Sequence, residues 1–283
     1  MNFVNVAEEQ MNENTEKAFK DHEDFFSEYF STFESREQFE MNINSILENN
    51  DPYLTRANID LLTRRLSLLP SLINRIKEDL VIPDVIFLIG LNNFDGHGLI
   101  INRKPYIFLN MTRMNEILKN KSFTIDVHLL HEMFHAIHYF YSPSFYIKSY
   151  SSIEHQYLKR MIAEGVATYF SKYAVEAKFE EALWVGLIGK KHFDEWLENS
   201  KEKKGLIWNS IRKAISTSNF DVSLNNTLFA ISGLRPEDLI KGRLGYYYGL
   251  EIVKKACKEG GITKILSLDY DKFKKYAEQY FLE

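Results

Sequence analysis

Residues 131 to 135 read His-Glu-Met-Phe-His inside an apolar stretch, residues 127–141, that holds no Gly or Pro and is expected to be a helix. Positions four apart stand on one face of a helix, so His131 and His135 can offer two imidazoles to a single metal ion. Glu132, rotated by about 100° around the axis, reaches the side where a metal-activated water would lie. That layout suits metal-assisted hydrolysis with Glu132 as the base. With 8 His and 26 Glu in 283 residues, a shuffled chain would contain such a pentad roughly 0.02 times. Coincidence is a poor explanation.

A catalytic zinc ion usually takes three protein ligands and keeps one position for water. Downstream candidates for the third are His138, Glu154, His155 and Glu164. His138 lies one turn beyond His135, too far to close a compact tetrahedron with both histidines, and reads as a packed or supporting residue. The metzincin pattern needs a Gly seven and a His ten residues after the first His; here those positions hold His138 and Tyr141, which excludes it. Glu164 stands in residues 161–170, otherwise apolar, where burying an unpaired carboxylate costs several kcal/mol. A metal would neutralise that charge. The small Gly165 and Ala167 are expected to let this helix approach the metal helix closely. Each ligand histidine also needs an acceptor for its other ring N–H, and Asp126, Glu154 and Thr168 are candidates.

Taken together, His131-Glu132-x-x-His135, 28 intervening residues and Glu164-Gly165-x-Ala167 resemble the gluzincin metallopeptidases, in which two His and a downstream Glu bind zinc. The Glu-Gly-x-Ala segment is similar to that of one-zinc aminopeptidases. The whole pattern, with its later Gly-Tyr motif, also resembles uncharacterised bacterial predicted Zn-dependent proteases. The resemblance covers about residues 85–256. It implies a zincin-like fold with an edge strand above the metal helix, and residues 106–109 are in the right place in sequence to be that strand. It further implies one zinc ion held by His131, His135 and Glu164. Glu132 would take the proton of the zinc-activated water and pass it to the leaving amine. Gluzincins place a Tyr, as Tyr-x-x-Gly, at the start of a late helix with its hydroxyl facing the oxyanion. In Gly245-Tyr246-Tyr247-Tyr248-Gly249 Tyr246 matches that spacing, and Tyr248 is the second choice. The Gly-x-Met-Glu-Asn segment by which one-zinc aminopeptidases recognise a free amino end has no counterpart before His131; the closest stretch, Leu109-Asn110-Met111-Thr112, lacks the acid. Internal cleavage of a peptide or protein is therefore expected over aminopeptidase action.

Composition sets the remaining bounds. The chain is 45% apolar and 26% charged with a net charge of −4, and its lysines lie in short mixed runs that read as solvated helix faces, so nucleic acid is not an expected partner. A single cysteine, Cys257, allows no internal disulfide and no thiolate zinc cluster. Residues 1–24 are polar and acidic without an apolar core, and no run reaches the roughly 18 apolar residues of a membrane span. A cytoplasmic location is expected, with no membrane association.

The elements that must position these residues read as an α+β fold, helix-dominated, with a small sheet beside the metal-binding helix. Residues 1–80 read as a helical region: a Phe-rich pattern over 8–48, ended by Asn49-Asn50-Asp51-Pro52, and a Leu- and Arg-rich one over 55–79, interrupted at Pro70. Residues 81–283 read as the zincin-like metallopeptidase domain, with one continuous domain over the whole chain as the alternative. Strands are expected over 85–90, 99–101 and 106–109, with 92–98 turn-like and a break over 102–105. Helices are expected over 151–174, 180–198, 205–216, 236–241, 246–258 and 271–282. Two competing readings exist: a zincin-fold module that holds a peptide or protein without cleaving it, and a helical interaction protein whose histidines are structural. The intact Glu132 speaks against the first, and the second requires His131, Glu132, His135 and Glu164 all to be coincidental.

Overall fold

Three of the four strands come from the apolar segments between residues 84 and 110, and the fourth from the first residues of the chain. The computed structural model describes residues 1–12, 15–91, 94–230 and 240–283. They group into two compact units, Met1–Phe140 and Tyr141–Glu283. Among the described residues helices dominate around a small four-stranded sheet, an α+β arrangement. No described helix is long and apolar enough to cross a membrane.

In the first unit the strands are β1 (Phe3–Asn5), β2 (Asp84–Leu88), β3 (Gly96–Ile101) and β4 (Lys104–Asn110), in the order β1-β2-β4-β3. β1 and β4 run parallel to β2, and β3 runs antiparallel to β4. Val85 to Leu88 are buried on both faces, as a central strand in a parallel arrangement must be. The β3–β4 hairpin turns on Asn102 and Arg103, both with positive φ (49° and 63°), the conformation that matches a two-residue turn to strand twist. This arrangement corrects two expectations. Gly96, His97 and Gly98 are strand, not turn. The edge strand is β3, not residues 106–109, because β4 has a neighbour on each side.

β1 was not foreseen. At three residues it is too short to show a period, and it forms because its partner 82 residues away already offers a free parallel edge. Its pairing ties the start of the chain, from which the amino-terminal helices follow, to the sheet. Those helices are α1 (Val6–Met11), α2 (Thr15–Asp21), α3 (Glu23–Thr32), α4 (Arg36–Glu48), α5 (Pro52–Leu66) and α6 (Leu69–Asn74). Asp51 caps α5 by accepting from the Tyr53 and Leu54 N–H groups, with Pro52 at its first turn. Pro70 sits in the first turn of α6, so the proline begins a helix there. The Phe stripe is core: Phe25, Phe26, Tyr29 and Phe39 are buried, and Tyr29 meets Phe108 of β4 edge-on at 5.2 Å between centroids. After α7 (Met111–Ile117) comes α8 (Ile125–Tyr141), the helix of the pentad.

The second unit is helical among its described residues. A π-helical turn, His155–Lys159, leads into α9 (Arg160–Val175), followed by α10 (Phe179–Trp184), α11 (Lys190–Glu202), α12 (Lys204–Thr217), α13 (Val222–Phe229), α14 (Leu244–Gly260), α15 (Ile262–Ile265) and α16 (Tyr270–Leu282). The expected helix over 180–198 is two, because Val185 and Gly186 adopt positive φ (45° and 80°) between them. The expected helix over 236–241 falls largely outside the described residues. α9 packs on α14 through glycines: a Cβ on Gly165 would stand 2.1 Å from the carbonyl carbon of Gly249. Gly165 therefore serves the contact with α14.

Candidate metal centre

α8 is buried on every side. Residues 127–139 are all buried, so its polar side chains sit in a medium that penalises unpaired charge. His131 and His135, one turn apart, turn their Nε2 atoms toward each other at 3.0 Å, with ring planes at 83°. Two nitrogens bound at 2.0–2.1 Å to one tetrahedral zinc ion stand about 3.3 Å apart. The pair therefore fits a shared metal with a small adjustment.

Glu132, between them in sequence, is 6% exposed. Burial pushes its carboxyl up from the usual range and Asp95 adds to the rise, while His131, His135 and His128 pull the other way. Its two oxygens face two further histidines: His97 Nδ1 lies 3.4 Å from Oε2, and His128 Nδ1 lies 4.0 Å from Oε1. The first is charge proximity and not a formed hydrogen bond, since Oε2 has no hydrogen-bond partner. Asp95 stands 3.8 Å behind His128 Nε2. His97, Glu132 and His135 together offer ligand atoms within 4.8 Å of one another.

His97 reaches this position because β3 lies hard against α8. A Cβ on Gly98 would meet the Ala136 nitrogen at 2.4 Å, and one on Gly96 would meet Glu132 Cγ at 3.7 Å. A strand with glycine on either side of a histidine can come close enough for that histidine to touch the helix. The His97 ring tilts over His135 at 4.5 Å between centroids, and Phe33 covers it edge-on at 5.4 Å. Behind His131 and His135, the Tyr139 hydroxyl lies 3.3 Å from His135 Nδ1 and 3.1 Å from His97 Nε2.

His138 is fully buried and pulled down to about 3, first by burial and then by the neighbouring His135. It is a neutral packed residue. Asp126, proposed as an acceptor for a ligand histidine, instead pairs with Arg65 at 3.5 Å on the surface.

In the second unit Glu164 is 6% exposed on α9, with Arg160 Nε 4.0 Å from its carboxylate. Burial, followed by the charge of Glu164, pushes the Tyr150 hydroxyl far above its ordinary range, with Arg160 opposing. Glu154 is committed elsewhere, accepting from Tyr270 at 2.7 Å and Lys274 at 2.8 Å. His155 accepts from the Ser151 N–H at 3.2 Å and packs on Tyr270. Thr168 is fully buried. Of the three tyrosines at the start of α14, Tyr248 donates to the Ser200 carbonyl at 2.7 Å, Tyr247 packs on Trp196, and Tyr246 carries the Arg243 guanidinium over its ring at 3.9 Å.

Four residues of the centre escaped the sequence reading. His128 and Tyr139 lie four before Glu132 and four after His135, so the helical period that pairs His131 with His135 also marks them. His97 and Asp95 come from outside the helix, and their only local sign is the Gly-His-Gly step. No family model, no curated protein and no solved structure matches the chain.

Proposed function

We propose that the chain is a cytoplasmic zinc-dependent peptidase of gluzincin type with a zincin-like fold. One zinc ion is held by His131, His135 and Glu164. The observation that carries this reading is the pair of buried Nε2 atoms 3.0 Å apart on α8 with the Glu132 carboxylate set beside them among histidines. Glu164 joins them on its chemistry: it is a carboxylate only 6% exposed in an otherwise apolar stretch of α9, a setting that disfavours its charge and that a cation would offset. A zinc ion so held would lower the pKa of a water toward about 7 and polarise the scissile carbonyl.

The chain's own residues supply the proton traffic. Glu132, shielded from bulk water, accepts the proton of the attacking water and returns it to the leaving amine. Tyr246 is the proposed donor to the oxyanion, since the hydroxyl of Tyr248, the second choice, is already bonded to Ser200. A donor aimed at developing charge contributes about 2.7–4 kcal/mol in comparable sites. The substrate is a peptide or protein cut internally. Neither nucleic acid nor a membrane has a part in this reading.

The alternative is a zincin-fold module that grips a peptide without cutting it. Glu132→Gln separates the two. The variant should keep its zinc and lose hydrolysis of a mixed peptide library that the wild type cleaves. Equal cleavage by both would remove Glu132 as the base, and no cleavage by zinc-loaded wild type would favour the binding module.

A further inference from the structure

Arg243 stands directly before α14 with φ 59°, a left-handed conformation that is costly for any residue but Gly and persists only where the surroundings fix it. Here they do. The Trp196 indole N–H donates to the carbonyl of Gly242 at 2.8 Å, and the Arg243 carbonyl accepts from the Tyr246 N–H at 3.1 Å. The guanidinium lies 3.9 Å from the ring centroid of Tyr246 and 5.5 Å from that of the fully buried Trp184. Contacts over ring faces leave the N–H groups in the guanidinium plane unused. Its Nε is buried without an acceptor, and among the described residues no carboxylate pairs with this half-buried side chain.

We propose that Arg243 is a specificity-determining residue that binds a carboxylate of the peptide substrate, either its free carboxyl end or an Asp or Glu side chain. This inference rests on the peptidase reading given above. A purely structural cation is badly placed here. Arg243 sits at the amino-terminal end of a 17-residue helix whose first turn holds no acidic residue, the end at which the helix dipole disfavours positive charge. A bound anion offsets both the dipole and the guanidinium. Among the ordinary groups of a peptide only carboxylates are anionic, and a planar guanidinium fork bonds a carboxylate through two parallel N–H groups. The fork is held in advance, by a constrained backbone on one side and by two rings on the other. Its contact with Tyr246, the proposed donor to the oxyanion, gives the carboxylate a purpose: a peptide anchored at Arg243 presents a bond at a set distance from that anchor.

The test uses the full chain carrying Glu132→Gln, so that peptides are held and not cut. Loaded with zinc, it is exposed to one mixed peptide library made with free and with amidated carboxyl ends, and the retained peptides are counted by mass spectrometry. Hydrogen bonds to a charged group set affinity by about 10–100-fold. Retention should favour free over amidated ends by that factor if the chain end is the ligand, or peptides with Asp or Glu over those without if a side chain is. Adding Arg243→Gln should abolish the preference, and Arg243→Lys, which keeps the charge but not the fork, should keep only part of it. With Glu132 restored, Arg243→Lys should raise KM for the favoured peptides more than it lowers kcat. Retention blind to both kinds of carboxylate, a preference that survives Arg243→Gln, or a kcat loss at unchanged KM would each overturn the proposal and leave the peptidase reading intact. Zinc-loaded protein that neither cuts nor retains any peptide would overturn both.

Discussion

On the edge strand, Gly98 lies so close to Ala136 that a Cβ there would stand 2.4 Å from the Ala136 nitrogen and 2.9 Å from its Cα. Both are backbone atoms of a fully packed helix and cannot swing aside. Overpacking of this kind costs about 1–3 kcal/mol, occasionally more. Gly98→Ala should therefore lower the urea midpoint and, by lifting the neighbouring His97 from Glu132, weaken zinc binding. An unchanged midpoint and affinity would show that β3 is free to shift.

The same logic applies to α9 and α14. A Cβ on Gly165 would stand 2.1 Å from the Gly249 carbonyl carbon, and one on Gly249 2.0 Å from the Met161 carbonyl oxygen. Gly165→Ala should destabilise by about 2–3 kcal/mol, at the upper end for overpacking. Gly189 is the control: it caps α11 with an extended backbone and has open space around it. Gly189→Ser should fall within about 0.5 kcal/mol of wild type or slightly above it. Similar denaturation midpoints for Gly165→Ala and Gly189→Ser would contradict the packing described.

His138 gives stability an acid limb. Burial and His135 hold it at about 3 in the folded chain, against about 6.5 unfolded. Between those values the unfolded chain binds a proton that the folded one does not, so its contribution is fully present above about pH 6.5 and is lost as pH falls toward 3. The loss runs at up to about 1.4 kcal/mol per pH unit. His138→Gln will cost stability near neutrality, but its urea midpoint should fall less steeply between pH 6.5 and 4. Parallel pH profiles for the two proteins would rule His138 out as the source.

What the sequence disclosed, and what it hid, follows from the range of the interactions. The pentad, its helix and the apolar setting of Glu164 are local, written at spacings of three and four, and could be read directly. So could the strand at 84–88, where burial on both faces leaves a continuous apolar run. β1 was hidden because three residues show no period, and His97 because glycines on either side of it imitate a turn. Gly165 could be recognised as a point of close approach, but its partner, 84 residues further on at Gly249, could not. The zincin-like arrangement and Tyr246 as oxyanion donor came from motif resemblance alone and remain proposals.

The central claim is that His131, His135 and Glu164 hold one zinc ion, and the metal content of the purified protein tests it most directly. After zinc addition and removal of excess, elemental analysis should give close to one zinc per chain for the wild type. His131→Ala and Glu164→Ala, which each delete one of three ligands, should give far less while remaining folded. A wild-type value near zero after zinc addition would contradict the account, and full zinc content in Glu164→Ala would move the third ligand elsewhere.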